Sequence, residues 1–276
     1  MIQERLKALR AEMEKRGITV YVVPTADFHE SEYVGDHFKA RKFITGFTGS
    51  AGTAVITLDE AGLWTDGRYF VQAENQLKDS TVTLYRMGEE GVPTVDEFVK
   101  DRLKEGGCLG FDGRVVNGTW GGKLEKIAAE KNVSMHVTED LIDLIWEDRP
   151  ALSKQPLFIL EEKYSGKSTA DKIGDLRKAM KENGADVHIL TSLYDIAWLL
   201  NIRGNDIDYV PVVLSYLVLN ETECIWFLQE EVVDDKIRAY LEENHITTKP
   251  YDAIYDYVPE IPADAVVLMN RGTVNY

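Results

Sequence analysis

The segment Gly46-Phe47-Thr48-Gly49-Ser50-Ala51-Gly52-Thr53 gathers three glycines and three hydroxyl side chains into eight residues. Loops of this composition serve three chemistries. A phosphate-binding loop needs G-x-x-x-x-G-K-[ST] opening a helix. No lysine stands at that place, and the apolar run Ala54-Val55-Ile56-Thr57 that follows reads as a strand. The dinucleotide pattern G-x-G-x-x-G fails on spacing. A hydrolase elbow needs G-x-S-x-G at a strand-to-helix turn. Thr48 stands where its first glycine belongs, and a strand again follows Gly52. The reading left is structural: the glycines permit tight turns and close approach of two strands.

Asp27, His29, Glu30 and Glu32 lie close together in Asp27–Tyr33, and imidazole among carboxylates can hold a metal. His29 and His37 are not four residues apart, so no H-E-x-x-H helix forms. A polar surface loop is expected. His136, His188 and His245 stand singly. Asp66-Gly67-Arg68-Tyr69 joins a strand to a helix, with Asp66 placed as an N-cap. Arg68 at a helix start opposes the dipole, so it is expected to face a carboxylate, either internal or a ligand's. Arg203, Asp206 and Asp208 offer the same choice, with a local ion-pair set as the plainer reading. No nucleophile with a base, metal cluster or phosphate cradle assembles from these residues.

The elements that must position them alternate. Ile2, Leu6, Leu9 and Met13 recur at helical spacing before Gly17, and a β-rich run ends at Pro24. KFITGF reads as extended. AVITL and GLWT read as a hairpin across residues 59–62. Residues 68–77, 94–103 and 121–132 read as helices, and TVTLYRM, CLGFD and SMHVT as strands. LIDLIW reads as a helix running into Pro150. This alternation predicts an α/β fold with mixed sheets covered by helices.

Leu6, Leu9, Met13, Gly17, Val20, Val22 and Val23 are matched by Ile173, Leu176, Met180, Gly184, Val187, Ile189 and Leu190, each 167 residues later. ITGFTGSAGTAVIT is echoed by LNIRGNDIDYVPVVLSYLVL, and AGLWTD by TECIWFL. The ordered echoes predict a duplication. Pro150 and Pro156 mark the junction, giving domains 1–155 and 156–276, with Ser168 or Thr169 capping the first helix of the second.

The 276 residues are 44% apolar, enough for two cores. Lys+Arg is 31 against Asp+Glu 47, a net charge of −16 that opposes a nucleic-acid or anionic-membrane partner. Cys108 and Cys224, far apart in apolar surroundings, fit buried thiols in a reducing compartment. The N-terminus reads as an amphipathic helix, not a signal peptide, and no apolar run reaches membrane-spanning length.

Six motifs resemble one family. D-x-H-x-S-E-Y (Asp27 to Tyr33), F-x-x-G-F-x-G-S-A-G-T (Phe43 to Thr53), W-T-D-G-R-Y (Trp64 to Tyr69), I-W-x-D-R-P (Ile145 to Pro150), I-A-W-L-x-N-x-R-G-x-D (Ile196 to Asp206) and P-V-x-x-S-Y (Pro211 to Tyr216) are similar to the N-terminal region of cytosolic Xaa-Pro aminopeptidase, or aminopeptidase P, in its long three-domain form. They run in order along essentially the whole chain. The resemblance implies two creatinase/prolidase N-terminal-like, ribonuclease H-like domains ahead of a C-terminal pita-bread domain that this chain lacks. That domain would carry two divalent metals, usually manganese, on two Asp, one His and two Glu, and cleave peptides before a penultimate proline. None of those ligands has a counterpart here. The resemblance therefore implies a non-catalytic, cytoplasmic N-terminal region that shapes access for short proline-containing peptides. It packs on the catalytic domain through an exposed apolar patch and leaves room for a homodimer. By motif position, His29, Phe47, Asp66, Arg68 and Arg203 are its substrate-rim candidates. A stand-alone interaction module of creatinase-like fold and the N-terminal region of a prolidase- or creatinase-type hydrolase are the alternatives.

Overall fold

A computed structural model describes residues 1–276, which divide into two compact units. Unit 1 comprises residues 1–28, 36–151 and 275–276; unit 2 comprises residues 29–35 and 152–274.

Unit 1 opens with helix α1 (Ile2–Lys15), whose Leu6, Leu9 and Met13 are buried. Gly17 at φ 66° lets the chain reverse after it, a conformation that costs a side-chain-bearing residue more. Strand β1 (Val20–Pro24) follows, then helix α2 (Ala40–Thr45), the hairpin β2 (Thr53–Thr57) and β3 (Ala61–Thr65), helix α3 (Phe70–Leu77) and strand β4 (Thr83–Arg86). Helix α4 (Val95–Arg102), strand β5 (Cys108–Gly110), helix α5 (Gly118–Glu130) and strand β6 (Ser134–His136) complete it. The sheet order is β4-β3-β2-β1-β5-β6. β1 pairs antiparallel with β2 and parallel with β5; β2–β3 is antiparallel, while β3–β4 and β5–β6 are parallel. Both faces are covered, so β1 is buried throughout and does not alternate in polarity. Tyr21 and Val23 join Leu6, Leu9, Met13 and Ile44 in one core; Val20 and Val22 join Trp64, Phe98 and Leu124 in the other.

Unit 2 contains strand β7 (Phe158–Ile159), helices α6 (Glu162–Ser165) and α7 (Thr169–Glu182), strand β8 (Val187–Leu190), helix α8 (Leu193–Leu200) and strands β9 (Ile202–Arg203), β10 (Ser215–Asn220) and β11 (Cys224–Leu228). Helix α9 (Asp235–Glu243) and strands β12 (Thr247–Pro250) and β13 (Val267–Leu268) follow. Its main sheet runs β12-β11-β10-β8-β13, and β7 pairs with β9 apart from it. Every pairing sense repeats unit 1: β8–β10 and β10–β11 are antiparallel, β11–β12 and β8–β13 parallel. Gly184 after α7 has the same φ of 66° as Gly17. Ser168 caps α7, accepting from the Asp171 amide. The duplication read from the 167-residue offset is thus a repeat of topology, with β6 an addition to unit 1.

Two local expectations are corrected. KFITGF is not extended: residues 40–45 are helical, and Gly46 in the left-handed region at φ 78° ends the helix. Six residues rich in aromatic and β-branched types are too few to define a period. LIDLIW is a series of turns, not a helix. The Asp140 carboxylate accepts from the Ile142 amide and from Arg149, holding the chain in a tight local path. No helix is long and apolar enough to cross a membrane. Both cysteines are free thiols buried in the fold.

Candidate functional site

The glycine loop is organised by a residue its own pattern does not contain. Arg41, on α2, is buried, and its guanidinium reaches into the loop. Nη1 donates to the Phe47 carbonyl at 2.5 Å, Nη2 to the Gly49 carbonyl, and Nε to Thr25 Oγ1 at 2.9 Å. Thr25 Oγ1 donates onward to the Gly52 carbonyl at 2.8 Å, and Thr65 Oγ1 donates to Ala51 O at 2.8 Å. The cation also lies 4.7 Å from the Phe47 ring centroid. Burial pulls the Arg41 guanidinium down to about 10, which leaves it charged at neutral pH. These carbonyls converge on an internal cation. A phosphate cradle has the reverse polarity, with N–H groups aimed outward at an anion. The Thr48 amide is also engaged, donating to Gln76 Oε1 at 2.9 Å.

Two of the glycines are required by contact. A Cβ on Gly49 would stand 2.2 Å from the Phe47 ring and 2.8 Å from Tyr69; one on Gly52 would stand 2.8 Å from the Trp64 carbonyl. The close approach between strands expected from the sequence is present. Ser50 shares a 2.6 Å hydrogen bond with the Tyr69 hydroxyl, and that phenol is no base for nucleophilic attack.

Asp66-Gly67-Arg68 forms the turn between β3 and α3. The guanidinium of Arg68 is bidentate on Asp66, Nε to Oδ1 at 2.8 Å and Nη2 to Oδ2 at 2.9 Å. Oδ1 also accepts the Arg68 amide. Hydrogen bonding to Arg68 holds the Asp66 carboxyl down to about 2. Asp66 is therefore not the N-cap of α3; that place falls to Tyr69, without a side-chain cap. The carboxylate facing Arg68 includes an internal one. The pair is solvent-facing, Arg68 being 70% exposed.

The other rim candidates lie elsewhere. Phe47 is 0% exposed, a core side chain edge-on to Tyr69. His29, in unit 2, is 2% exposed, so the expected polar surface loop is corrected there. Its Nδ1 donates to the Thr191 carbonyl at 2.9 Å, and Nε2 lies 2.6 Å from the Tyr251 hydroxyl. A carbonyl can only accept, so Nδ1 carries a proton, and in the neutral ring Nε2 accepts from Tyr251. Both ring nitrogens are committed. Arg203, half-buried on β9, donates to the carbonyls of Ala197 and Ile202. Asp206 instead accepts the amides of Gln155 at 3.1 Å and Leu214 at 2.9 Å. The expected Arg203–Asp206–Asp208 ion-pair set is replaced by these backbone bonds.

Sequence reasoning missed Lys172 as well as Arg41. Lys172 is buried in unit 2, donating to the Trp198 carbonyl at 2.7 Å and to Asn201 Oδ1 at 2.6 Å. It thereby caps the C-terminus of α8, where a cation complements the dipole. In both cases the only signal was a basic residue inside a stretch otherwise burying apolar side chains.

No group of three or more His, Cys, Asp or Glu is placed to hold a metal ion. The imidazoles are held singly: His37 bonds the Pro150 carbonyl, His188 the Leu268 carbonyl, and His136 lies beside Glu139. The donor set of this chain does not fit a two-metal centre. Burial pushes the Cys224 thiol up to about 12, far from a reactive thiolate. An open groove of about 690 Å³ on unit 2 mixes Arg177 and Lys181 with Asp186 and Glu221 and presents no convergent set.

The family model for the creatinase/prolidase N-terminal domain matches residues 5–145, and a second model of the same description matches residues 148–276. The probable Xaa-Pro aminopeptidase P of Sordaria macrospora is 42% identical over 255 residues, covering 91% of this chain and 41% of that protein. Aminopeptidase P2 of Arabidopsis thaliana is 36% identical over 281 residues, covering 100% of this chain and 39% of that protein. Among solved structures, the X-prolyl aminopeptidase from Caenorhabditis elegans, described as a cytosolic enzyme with a di-nuclear active site, superposes with a TM-score of 0.90 at 34% identity. That match covers 94% of this chain and 44% of the nematode enzyme. The chain spans about two fifths of the length of the curated relatives it matches.

Proposed function

The chain belongs to the creatinase/prolidase N-terminal domain family, and on that footing we propose that it is the non-catalytic N-terminal region of a metal-dependent Xaa-Pro aminopeptidase. Its role is to shape the approach of short peptides with a penultimate proline and to pack against the catalytic domain. The supporting observation is the nematode match: 94% of this chain aligns with an X-prolyl aminopeptidase more than twice as long. The two-metal centre, manganese or a similar divalent pair, then belongs to the remainder of the protein. A cytoplasmic setting is supported by the description of that enzyme as cytosolic. We place the junction between the two domains near residue 155, in the irregular stretch between β6 and β7. The exposed side chains of Val266, Leu268 and Met269 at β13 support an apolar surface for the catalytic domain.

Within this reading the solvent-facing Asp66–Arg68 pair is the rim element of unit 1, and Arg203 is that of unit 2. Arg68 is a bidentate donor already shaped for a carboxylate, and a peptide carboxylate or carbonyl can exchange with Asp66. Arg68→Ala in the longer protein is expected to lower kcat/KM for Xaa-Pro peptides roughly tenfold, mainly through KM. An unchanged kcat/KM would remove Arg68 from the rim.

A further inference from the structure

The last two residues of the chain belong to unit 1 and fill a slot shaped for them. Asn275 forms an antiparallel bridge with Asn117, and its Nδ2 donates to the Arg114 carbonyl at 3.1 Å. The Tyr276 amide donates to both Gly113 O, at 3.1 Å, and Val116 O, at 2.8 Å. Its ring lies 5.8 Å from that of Phe111. Beneath it runs α5, and at Gly121 the helix has no side chain. A Cβ there would stand 2.1 Å from Tyr276 Cδ2, 2.3 Å from Cγ and 2.7 Å from Cβ. These are the root of the tyrosine side chain, so no rotation of a flexible tip relieves the clash. A glycine inside a helix weakens it relative to alanine. The buried position of Gly121 in α5 is explained by Tyr276.

We propose that Gly121 and Tyr276 form an anchor: the slot of Gly113, Val116, Phe111 and Gly121 captures Tyr276 and fixes on unit 1 the point from which the chain continues in the longer proteins. They are a positioning pair, remote from any reacting atom. The second half of this statement rests on the aminopeptidase reading above; the first does not.

The test is a four-variant cycle in this chain: wild type, Gly121→Ala, Tyr276→Gly and the double variant, compared by thermal midpoint. With Tyr276 present, Gly121→Ala is expected to lower the midpoint by several degrees. With glycine at 276, it is expected to raise the midpoint, because the helix gains a better former and meets no side chain. A Gly121→Ala shift of the same sign and size in both backgrounds would overturn the anchor. In the longer protein, Gly121→Ala and Tyr276→Ala are each expected to lower kcat/KM for an Xaa-Pro peptide roughly tenfold, with Tyr276→Phe retaining it. Wild-type kcat/KM in Gly121→Ala, alongside a reversed sign in the cycle, would overturn the positioning role. Absence of Xaa-Pro hydrolysis by the longer wild-type protein would instead overturn the functional reading and leave the anchor standing.

Discussion

Replacing Arg41 by alanine is expected to destabilise unit 1 by on the order of 3–5 kcal/mol, with the loss visible as a lower midpoint in urea. The guanidinium serves Phe47 O, Gly49 O and Thr25 Oγ1 together. Removing it leaves three acceptors in a buried loop without their donor and opens a void beside the Phe47 ring. Arg41→Lys keeps the charge, but one ammonium cannot span three acceptors set around a planar fork. It is expected to fall between wild type and alanine. Gly49→Ala attacks the same loop from its other side, through the clash with Phe47 and Tyr69. A change below about 1 kcal/mol for Arg41→Ala would contradict the description of the loop as built on this cation.

Trp64→Ala carries the second large effect, about 3–5 kcal/mol. The indole is fully buried, stacked on Tyr85 at 4.1 Å, edge-on to Phe98 at 4.8 Å, and donates Nε1 to Pro93 O at 2.7 Å. Its counterpart in the second copy of the fold, Trp226, is equally buried, but its Nε1 has no hydrogen-bond partner. The two tryptophans therefore separate volume from hydrogen bonding. Trp64→Phe leaves the Pro93 carbonyl without its donor, whereas Trp226→Phe removes a buried donor that has no acceptor. Trp64→Phe is expected to cost about 1–2 kcal/mol more than Trp226→Phe. Equal losses in chemical denaturation would show that the indole hydrogen bond contributes nothing measurable.

The features legible in the sequence were those written in local period. Leu6, Leu9 and Met13 before Gly17, and their counterparts before Gly184, announced two helix–strand units. The hairpin across residues 59–62 and the ordered echoes announced the repeated topology. The motifs from Asp27 to Tyr216 announced the family. Illegible were the partners that tertiary structure supplies. Nothing near His29 signals that Tyr251, 222 residues away, takes its Nε2. Nothing near Gly46 signals that the loop carbonyls turn inward to Arg41, since composition records glycines but not the direction of N–H and C=O groups. Asp66 read as a cap because a short acidic residue before a helix usually is one. The neighbouring guanidinium outcompeted the backbone amides for it.

On the proposed reading, the chain shapes a peptidase without performing its chemistry. Hydrolysis of an Xaa-Pro peptide with added Mn²⁺ tests it directly, run side by side on the purified 276-residue chain and on the longer protein. Release of the N-terminal residue is expected from the longer protein, and none above buffer from the chain alone. Metal-dependent turnover by the 276-residue chain, abolished by a chelator and following the chain through purification, would contradict it.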